Sequence, residues 1–596
     1  MADKEEKKKE KKSRKNNKKK DLSGQKDSII KQLKIAYRAL DDRNKFYKTT
    51  LFPLVGLGGM MFAMPFILQI VVPFPLNIDP ITFIIGGIVP IFIGIFHPYV
   101  TWKNRENDIN GKMHFFITHI RVLSISDLSL KDVINMLGGK SVYGALGEEL
   151  NKISVISSQW KMPLSKTFRF ISERTPSKIF KDFLDRFSQS LDSGVEHREF
   201  IEIEQDAVIQ EYKTMYEASN ENIVILNEVY VSMLIAIIFV MSLGIVLPII
   251  MGGDDMNKFV YLSSFLLIIS EGMLLYLIKA MIPPDEMWHQ TGEKGKTEEK
   301  MDKLFKLSAS LCVVLGIALG VLKYVVALPM FDFLSFELIA AITLTPLMIV
   351  GIKVFIEESD ISRKERNFLG FLPALGSISA MRGGKINESV YYLSEKDYGV
   401  LTKHVKDLYR RLRTRINDDD AWEWFGVDTG SNYVQRSGEM FREATFAAAN
   451  PRKAAKMISE NIRKIRDLRV KKLTIVTTSI ALFAGITFGI AFALDVSLVI
   501  GRHLNSIMLE TGDPFSDMEG MSMGTLLHTV PPEVYDNNFI IIFLVLVVHC
   551  FMLALTLKMM RGSHKYVTYL YFVPFVWIVA VTSIVVQVSI GGMIGV

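Results

Sequence analysis

The sequence predicts an all-α polytopic membrane protein with about nine transmembrane helices and two duplicated cytoplasmic helical bundles of one type. Hydrophobic residues make up 49% of the 596 residues, and the mean hydropathy of +0.24 exceeds what a soluble chain of this length usually shows. The apolar residues are gathered into runs long enough to cross a bilayer. Two long polar regions between these runs have apolar residues at three- and four-residue spacing, which predicts packed helices.

Nine apolar runs have the length expected of a membrane span. The second is the weakest, because it is short and carries Pro90 near its middle. The nine runs are Leu51–Val72, Ile81–Phe96, Val229–Ile250, Phe259–Met281, Leu304–Leu328, Leu334–Ile356, Leu473–Leu494, Phe539–Leu557 and Val567–Val588.

The lysine and arginine content of the short flanking segments predicts the orientation of these spans. The loops Glu293–Lys303 and Lys558–Lys565 are basic and should lie inside, as should the lysine-rich N-terminus. The segment Asp495–Asn538 holds seven carboxylates against one arginine, Arg502, and should lie outside. We therefore expect a multi-pass protein of the cell membrane with both bundles in the cytoplasm and the C-terminus outside.

The runs divide the chain into six predicted regions. They are a basic, largely disordered cytoplasmic tail (1–50), transmembrane helices 1–2 (51–96), a first cytoplasmic bundle (97–228), transmembrane helices 3–6 (229–356), a second cytoplasmic bundle (357–472) and transmembrane helices 7–9 (473–596), the last with an extracellular loop at 495–538.

Each bundle ends in a helix that continues into the membrane. Phe187–Pro248 starts as a charged helical segment and runs without an internal proline into the third span, so it could carry force or position from a cytoplasmic partner into the bilayer. Phe441–Leu494 is a second copy of this stretch. The two bundles differ in charge, which is −2 over Thr101–Asn227 and +8 over Ser359–Leu473.

The two polar regions also align with one another. RENDINGKMHFF, which begins at Arg105, matches KERNFLGFLPAL, which begins at Lys364; the match brings Glu106 onto Glu365 and Gly111 onto Gly370. Phe187 falls on Phe441 at almost the same offset. The same order of features at one spacing indicates a duplication.

No catalytic, cofactor or metal site is predicted. Cys312 and Cys550 both lie in apolar runs, which excludes a disulfide framework and a cysteine zinc site. The GGKS stretch at Gly138 lacks the glycine that a phosphate-binding loop needs five residues earlier. His114 and His119 are five residues apart and would point to different sides of a helix. We therefore expect a protein that is not an enzyme.

Two ionisable residues lie deep inside predicted spans, Glu271 in the fourth and His549 in the eighth, whereas Lys279, Lys323 and Lys353 lie nearer the span ends, where their side chains can reach the interface. A charge at that depth is a functional candidate by default, and a bare one costs at least about 2.5 kcal/mol. For Glu271 a proton- or force-linked site competes with an interhelical hydrogen bond, which we favour. For His549 a neutral ring bonded to a neighbouring helix is an equally good interpretation.

Two basic stretches, Lys403–Arg415 and Arg452–Lys472, carry most of the positive charge of the second bundle. Both could bind anionic lipid headgroups, or an acidic protein surface. The first lies far along the chain from any span, which favours a protein partner. The candidate docking residues are Arg410, Arg411, Arg413, Arg415, Arg452, Lys453, Arg463 and Lys464.

The lysine tract at the N-terminus has too few apolar residues to fold. A basic tail could bind nucleic acid or anionic lipid, but charge blocks are commonly solvated tails, and we favour a tail that holds the N-terminus in the cytoplasm. Nucleic acid is not an expected partner.

The layout and two segments resemble the F domains of type II secretion and type IV pilus platform proteins. The segment ERTPSKIFKDFLDRFSQSLDSG (Glu173–Gly194) is similar to the core of that domain, and IKAMIPPDEMWHQ (Ile278–Gln290) is similar to the end of the fourth span in archaeal members. The nine spans place the chain nearest the archaellum branch of the family, whereas the lysine-rich tail departs from its pattern.

This resemblance implies a mechanical function. A separate hexameric cytoplasmic ATPase would act on the bundles, and the platform, a homodimer, would insert pilin-like subunits into a growing surface filament. The platform of an archaeal adhesion pilus or secretion system is the alternative within the family. A solute transporter would instead show polar residues across several spans and short cytoplasmic loops. A membrane-bound enzyme would need a nucleophile, base or metal cluster.

Overall fold

The computed structural model of the protein describes residues 37, 46–56, 58–60, 62, 80–251, 256–283, 285–325, 335–414, 417–511 and 532–591. Within these ranges the chain is helical, and the one β pairing is an isolated antiparallel bridge between Trp288 and Ser431. The N-terminal tail before residue 37, Arg415 and the middle of the predicted outer loop, residues 512–531, lie outside the described residues.

The chain divides into two compact units, one formed by Met1–Glu106 with Arg174–Ser177 and the other by Asn107–Glu173 with Lys178–Val596. In the first unit, helical segments approach closely at Gly58 and Gly87, where a side chain on either residue would meet the backbone oxygen of the other. Only glycine allows this backbone approach.

Seventeen α-helices, numbered in chain order, account for most of the described residues. They are α1 (Pro80–Ser124), α2 (Leu130–Leu137), α3 (Gly144–Gln159), α4 (Leu164–Ser172), α5 (Lys178–Asp192), α6 (His197–Met251), α7 (Met256–Met281), α8 (Lys296–Tyr324), α9 (Phe336–Leu344), α10 (Pro346–Met381), α11 (Ile386–Ser394), α12 (Thr402–Arg413), α13 (Asp418–Thr429), α14 (Asn432–Phe446), α15 (Pro451–Thr511), α16 (Pro532–Arg561) and α17 (Thr568–Val586).

Seven of these helical segments are long and apolar enough to cross a membrane, and they coincide with the third to ninth predicted spans. This agreement, with the absence of regular strands among the described residues, confirms the all-α polytopic class. The first predicted span lies largely outside the described residues, and the second forms the beginning of α1. The seventh span belongs to a longer helix than we predicted, because α15 continues to Thr511.

The sixth predicted span is divided between α9 and α10. The two helices meet at Thr345, and Pro346 occupies the first position of α10. Proline is tolerated there because the amide groups of the first turn have no partner within the helix. Helix α10 then continues out of the span to Met381, so it also supplies the first helix of the second bundle.

The two bundles repeat one another helix by helix. The end of α1 and helices α2–α5 correspond to the end of α10 and helices α11–α14. Phe187 and Phe441, aligned in the sequence, are both the tenth residue of their helix, and both are buried. The duplication that the sequence predicts is therefore present in the fold.

A turn that occurs in both bundles supports the alignment of the two repeats. Gly144 and Gly399 each begin the third element of their bundle with positive φ, +48° and +57°. Asp108 accepts a hydrogen bond from the amide of Ala145 at 2.8 Å. Asn367, its aligned counterpart, donates to the carbonyl oxygen of Tyr398 at 2.6 Å. Equivalent side chains thus hold equivalent turns.

The bundles share one apolar core, and the membrane helices form another. In the first bundle Phe116 packs edge-on against Phe180 and Phe183, with ring centroids 6.1 and 5.8 Å apart. Burying each such side chain contributes about 1.5–3 kcal/mol. In the second bundle Phe371 and Phe425 occupy the corresponding core.

Helices α6 and α15, which we call the connector helices, leave the two bundles and pack along each other. Polar pairs follow their contact in order along both helices. Lys464 lies 3.4 Å from Asp206, Lys471 lies 3.0 Å from Glu217, and Asn227 donates to Ser479 at 2.8 Å. Both helices therefore run in the same direction from the bundles into the apolar spans.

Candidate functional site

The stretch Asp285–Gln290, here called the DEMWHQ segment, follows the fourth span and is held against the start of α14. The amide of His289 donates to the carbonyl oxygen of Gly430 at 3.1 Å, and the amide of Asn432 donates to that of Met287 at 3.0 Å. The Asn432 side chain adds a bond to the Glu286 carbonyl oxygen at 3.1 Å. These backbone bonds attach the end of a membrane helix to the second bundle.

A buried ion cluster lies at the beginning of this segment. Arg469 of α15 donates to both carboxylate oxygens of Asp285, at 2.6 and 3.2 Å, and lies 3.4 Å from Glu365 of α10. Tyr216 of α6 donates to Asp285 at 2.8 Å, and Lys472 approaches it to 3.9 Å. The cluster thus joins both connector helices, the second bundle and the end of the fourth span.

The charges of the cluster compensate one another inside the protein. The side chains of Arg469 and Asp285 are only 6% and 7% exposed. Burial would by itself raise the pKa of Asp285, but Arg469, Lys472 and the bond from Tyr216 hold that pKa well below its ordinary value. Removing one member of a buried pair leaves an uncompensated charge, which is strongly destabilising.

A second buried carboxylate, Glu358 of α10, binds the loop between α16 and α17. The amide of His564 donates to it at 2.9 Å, and the hydroxyl of Ser563 does so at 3.0 Å. The indole of Trp288, in the DEMWHQ segment, donates to the same carboxylate at 3.3 Å. This segment therefore also meets the loop that precedes the last membrane helix.

A separate group of polar residues joins the first bundle to the second. Lys140 of the GGKS stretch contacts Glu443 and lies 3.0 Å from Glu439, both on α14. His119 lies 3.2 Å from Glu443 and 2.8 Å from the hydroxyl of Tyr143. The lysine is thus bound to carboxylates of the second bundle.

Of the eight residues predicted to dock a partner, the seven that the structure describes lie on two helices, α12 and α15. Arg410 is 76% exposed and pairs with Asp407 on its own helix at 3.1 Å, whereas Arg411 is partly buried and pairs with Asp428. Helix α12 packs on its neighbours α11 and α13, while α15 packs on α6, α10 and α14. Arg413 is exposed on α12, Arg415 lies outside the described residues, and Arg452, Lys453, Arg463 and Lys464 are exposed along α15.

The two intramembrane candidates meet. The Nδ1 atom of His549 contacts Oε1 of Glu271, and both side chains are buried. The hydroxyl of Tyr230 lies at 3.5 Å from the same oxygen. The contact joins α7 to α16, which agrees with the interhelical hydrogen bond that we favoured for Glu271.

Sequence reasoning did not single out Asp285, Arg469 or Glu365, although helical spacing carries a signal for Arg469. Ile458, Ile462 and Ile465 are buried on one face of α15, and Arg469 and Lys472 continue the same three- and four-residue spacing. A basic residue in phase with an apolar stripe is expected to point inward and to require a carboxylate.

The described residues contain no group of three or more His, Cys, Asp or Glu side chains arranged to hold a metal ion.

Comparison with known proteins identifies the family to which this chain belongs. Residues 116–245, the first bundle and most of its connector helix, match the family Type II secretion system (T2SS), protein F. Flagella accessory protein J of Methanococcus voltae is 33% identical over 550 residues, which cover 90% of this chain and 97% of that protein. The chain belongs to the flagella accessory protein J family.

A second member of the family, flagella accessory protein J of Methanocaldococcus jannaschii, is 33% identical over 517 residues, covering 85% of this chain and 90% of that protein. No solved structure matches the chain. The predicted resemblance to the archaellum branch of the type II secretion F family is therefore confirmed, as is the prediction of a multi-pass membrane protein of the platform kind.

Proposed function

We propose that this chain is the membrane platform of an archaellum-like machine, and that it passes the work of a separate hexameric cytoplasmic ATPase to the insertion of pilin-like subunits into a surface filament. The observation that carries the proposal is the Arg469–Asp285–Glu365 cluster, where a bundle, both connector helices and a membrane helix end share one buried attachment. The platform of an adhesion pilus or secretion system is the alternative.

A displacement of the second bundle would reach the membrane by two routes. The first is α15, which is one continuous helix from Pro451 to Thr511. The second is the DEMWHQ segment, which ties α14 to the end of α7 and contacts the loop before α17 through Glu358. Closely packed helices with buried polar contacts transmit displacement because packed interiors are poorly compressible.

The second bundle is the better candidate for contact with the ATPase. Lys403, Lys406, Arg410 and Arg413 are all exposed on α12 at spacings of three, four and three residues, which places them along one stripe. We call this stripe the α12 face. It contains two of the docking residues predicted from the sequence, Arg410 and Arg413, and two further lysines.

The repeat provides an internal comparison for the α12 face. The equivalent exposed positions on α3 of the first bundle are Glu148, Asn151, Val155 and Ser158, which carry no positive charge. Where Tyr391 and Tyr409 pack with ring centroids 5.1 Å apart beside the α12 face, the first bundle has a hydrogen bond between Ser154 and Asn135. Aromatic and arginine side chains are enriched where proteins bind one another.

The remaining parts of the proposal follow from the charge distribution and the family. Both bundles and the N-terminus would lie in the cytoplasm, the C-terminus outside, and two copies would form the platform. Arg452, Lys453, Arg463 and Lys464, all exposed along α15, would meet the ATPase or, where the helix approaches its span, anionic headgroups. Nucleotide hydrolysis would belong to the ATPase, since the GGKS lysine is bound to Glu439 and Glu443.

The test is made in cells that lack the gene. We expect them to have no surface filaments and no swimming motility, and the wild-type gene to restore both. The variant with Lys403, Lys406, Arg410 and Arg413 replaced by glutamate should reach the membrane in normal amount yet restore neither, while the exposed control Lys131→Gln on α2 restores both. Normal filaments in the deletion strain would overturn the proposed function.

A further inference from the structure

A small cavity of about 40 Å³ lies beside the DEMWHQ segment, between the end of α1 and α14. Its polar lining includes Lys112, His114, Asp285, Gln290 and Arg436. By the criterion that one water needs about 10–15 Å³, it has room for roughly three waters or one small ion with water. A lipid headgroup is too large for it.

The guanidinium of Arg436 reaches this cavity without a carboxylate partner. The residue is only 3% exposed. Its two hydrogen bonds go to neutral amide oxygens, those of Asn432 at 2.7 Å and Gln290 at 3.1 Å, and its Nη1 atom has no partner among the described residues. The ring of Phe115, 4.7 Å from the guanidinium carbon, supplies a weaker attraction.

A buried positive charge of this kind is rarely left uncompensated, because the loss of hydration costs several kcal/mol per ion. Burial lowers the pKa of Arg436, which is the direction that the loss of hydration produces. An arginine nevertheless keeps its proton at neutral pH. The charge therefore calls for an anion.

The carboxylates that line the cavity are already engaged or exposed. Asp108 lies 2.7 Å from Lys112 and accepts the amide of Ala145, and Asp285 is bound by Arg469. Glu286 is exposed at the surface, where water solvates its charge. None of the three lies within 4.0 Å of Arg436 in the described part of the chain. Glu439, Glu286 and Asp108 act on its charge only from a distance, so a direct ion partner is left for a ligand to supply.

His114 supplies a second sign that the cavity is occupied in solution. The residue is 3% exposed, and neither ring nitrogen has a well-aligned hydrogen-bond partner among the described residues. The backbone of Gly111 makes only the smallest contribution among those that shift the pKa of the ring. Buried polar atoms in native proteins almost always have a partner, protein or solvent. A neutral histidine can donate one bond to an anion and accept one from water.

We propose that this cavity binds a small inorganic anion of halide size, held by Nη1 of Arg436 and a ring N–H of His114. The anion joins α1 to α14 beside the DEMWHQ segment, so it strengthens the attachment between the two bundles. This inference does not depend on the partner or filament assigned under the proposed function.

The test measures thermal unfolding of the purified full-length protein in detergent, in sodium chloride and in sodium gluconate at equal ionic strength. Chloride should raise the unfolding midpoint in a saturable manner, by about 2 °C or more once its concentration exceeds the dissociation constant many times over. Arg436→Gln should lose this response. The control Arg463→Gln, an exposed arginine on α15, should keep it.

Two further measurements protect the test against a variant that fails to fold. Arg436→Lys keeps the charge but offers fewer donors, so it should need more chloride for the same shift. Crystals grown in bromide should show anomalous scattering next to Nη1 of Arg436. Equal midpoints in chloride and gluconate for the wild type, an unchanged response in Arg436→Gln, or no bromide signal would show that only water fills the cavity.

Discussion

Arg469 and Asp285 lie 184 residues apart in the chain and form a bidentate ion pair inside the protein, with donor–acceptor distances of 2.6 and 3.2 Å. Arg469 belongs to a helix that enters the membrane, and Asp285 to a segment that has just left it. Because Tyr216 of the other connector helix binds the same carboxylate, the pair fixes three elements with one contact.

Replacing Arg469 by methionine should destabilise the protein more than replacing Glu365 by glutamine. The variant leaves Asp285 and Glu365 buried without their arginine, and breaking a buried pair costs about 3–5 kcal/mol. Glu365→Gln should cost less, because Ser431 can still hydrogen-bond the side chain from its present 2.7 Å. Thermal unfolding in detergent, with Arg463→Met as control, measures which of the two variants loses more stability. A smaller loss for Arg469→Met than for Glu365→Gln would contradict it.

The contact between the bundles should depend on Glu443. Burial would raise its pKa, but His119 and Lys140 lower it to about 2, so the carboxylate is charged at neutral pH. Glu443→Gln should therefore lower stability by about 1–3 kcal/mol, the usual result of leaving buried polar partners unsatisfied. Limited proteolysis and the unfolding midpoint measure the effect. The exposed Glu423→Gln on α13 is the control, and an equal response of the two variants would exclude an interbundle role for Glu443.

Much of the fold could be predicted from the sequence, since span length and helical periodicity are properties of single segments. The third to ninth spans and the alignment of Phe187 with Phe441 depend only on such local patterns. The ion cluster could not be predicted in the same way. Helical spacing predicts that Arg469 points inward, but its partner Asp285 lies 184 residues away and is recognisable only once the helices are packed.

For the other polar candidates, too, the sequence indicated the residues but not their contacts. Glu271 and His549 each stood out because a charged group in an apolar run is costly, but their contact spans 278 residues and depends on α7 packing against α16. For the docking residues, composition gave the basic character of α12. The direction of each side chain then separated the exposed Arg410 from the partly buried Arg411.

Charge reversal on the α12 face should separate the platform from its ATPase. Replacing Lys403, Lys406, Arg410 and Arg413 by glutamate exchanges an attractive surface for a repulsive one, so co-purification of the ATPase should fall at least tenfold while the platform stays in the membrane. A second variant, with charge reversals at Arg452 and Lys453, tests the start of α15 instead. Retention of the ATPase by the first set and loss by the second would move the docking site to α15.

Acid should weaken the protein through His114. Burial, with a contribution from Arg436, lowers the pKa of this histidine from its ordinary 6.5 to about 3. As pH falls below about 6.5 the unfolded chain takes up a proton that the folded protein does not. Stability is thus complete above pH 6.5 and lost from there towards pH 3, by at most about 1.4 kcal/mol per pH unit.

His404 and His564 have pKa values lowered to about 4 by burial and add to the same trend. The unfolding midpoint of His114→Gln should therefore decline less steeply between pH 7 and pH 5 than that of the wild type. The difference corresponds to the uptake of one proton fewer on unfolding. An identical decline in wild type and variant would mean that His114 is not the buried neutral group described here.

The contact between Glu271 and His549 should behave as one interaction between two membrane helices. Because both side chains are buried, replacing either by leucine leaves the other without its partner, and each single variant should lower the unfolding midpoint. The double variant should then cost less than the sum, with a coupling of about 0.6 kcal/mol and at most about 1.7 kcal/mol, the mean and the maximum for hydrogen bonds between membrane helices. Tyr230→Phe, which removes a hydroxyl 3.5 Å away, is the control and should have a small effect. If the two leucine substitutions are additive, the contact contributes nothing to the packing of α7 on α16, and a role in proton uptake becomes the better explanation for two ionisable groups at that depth.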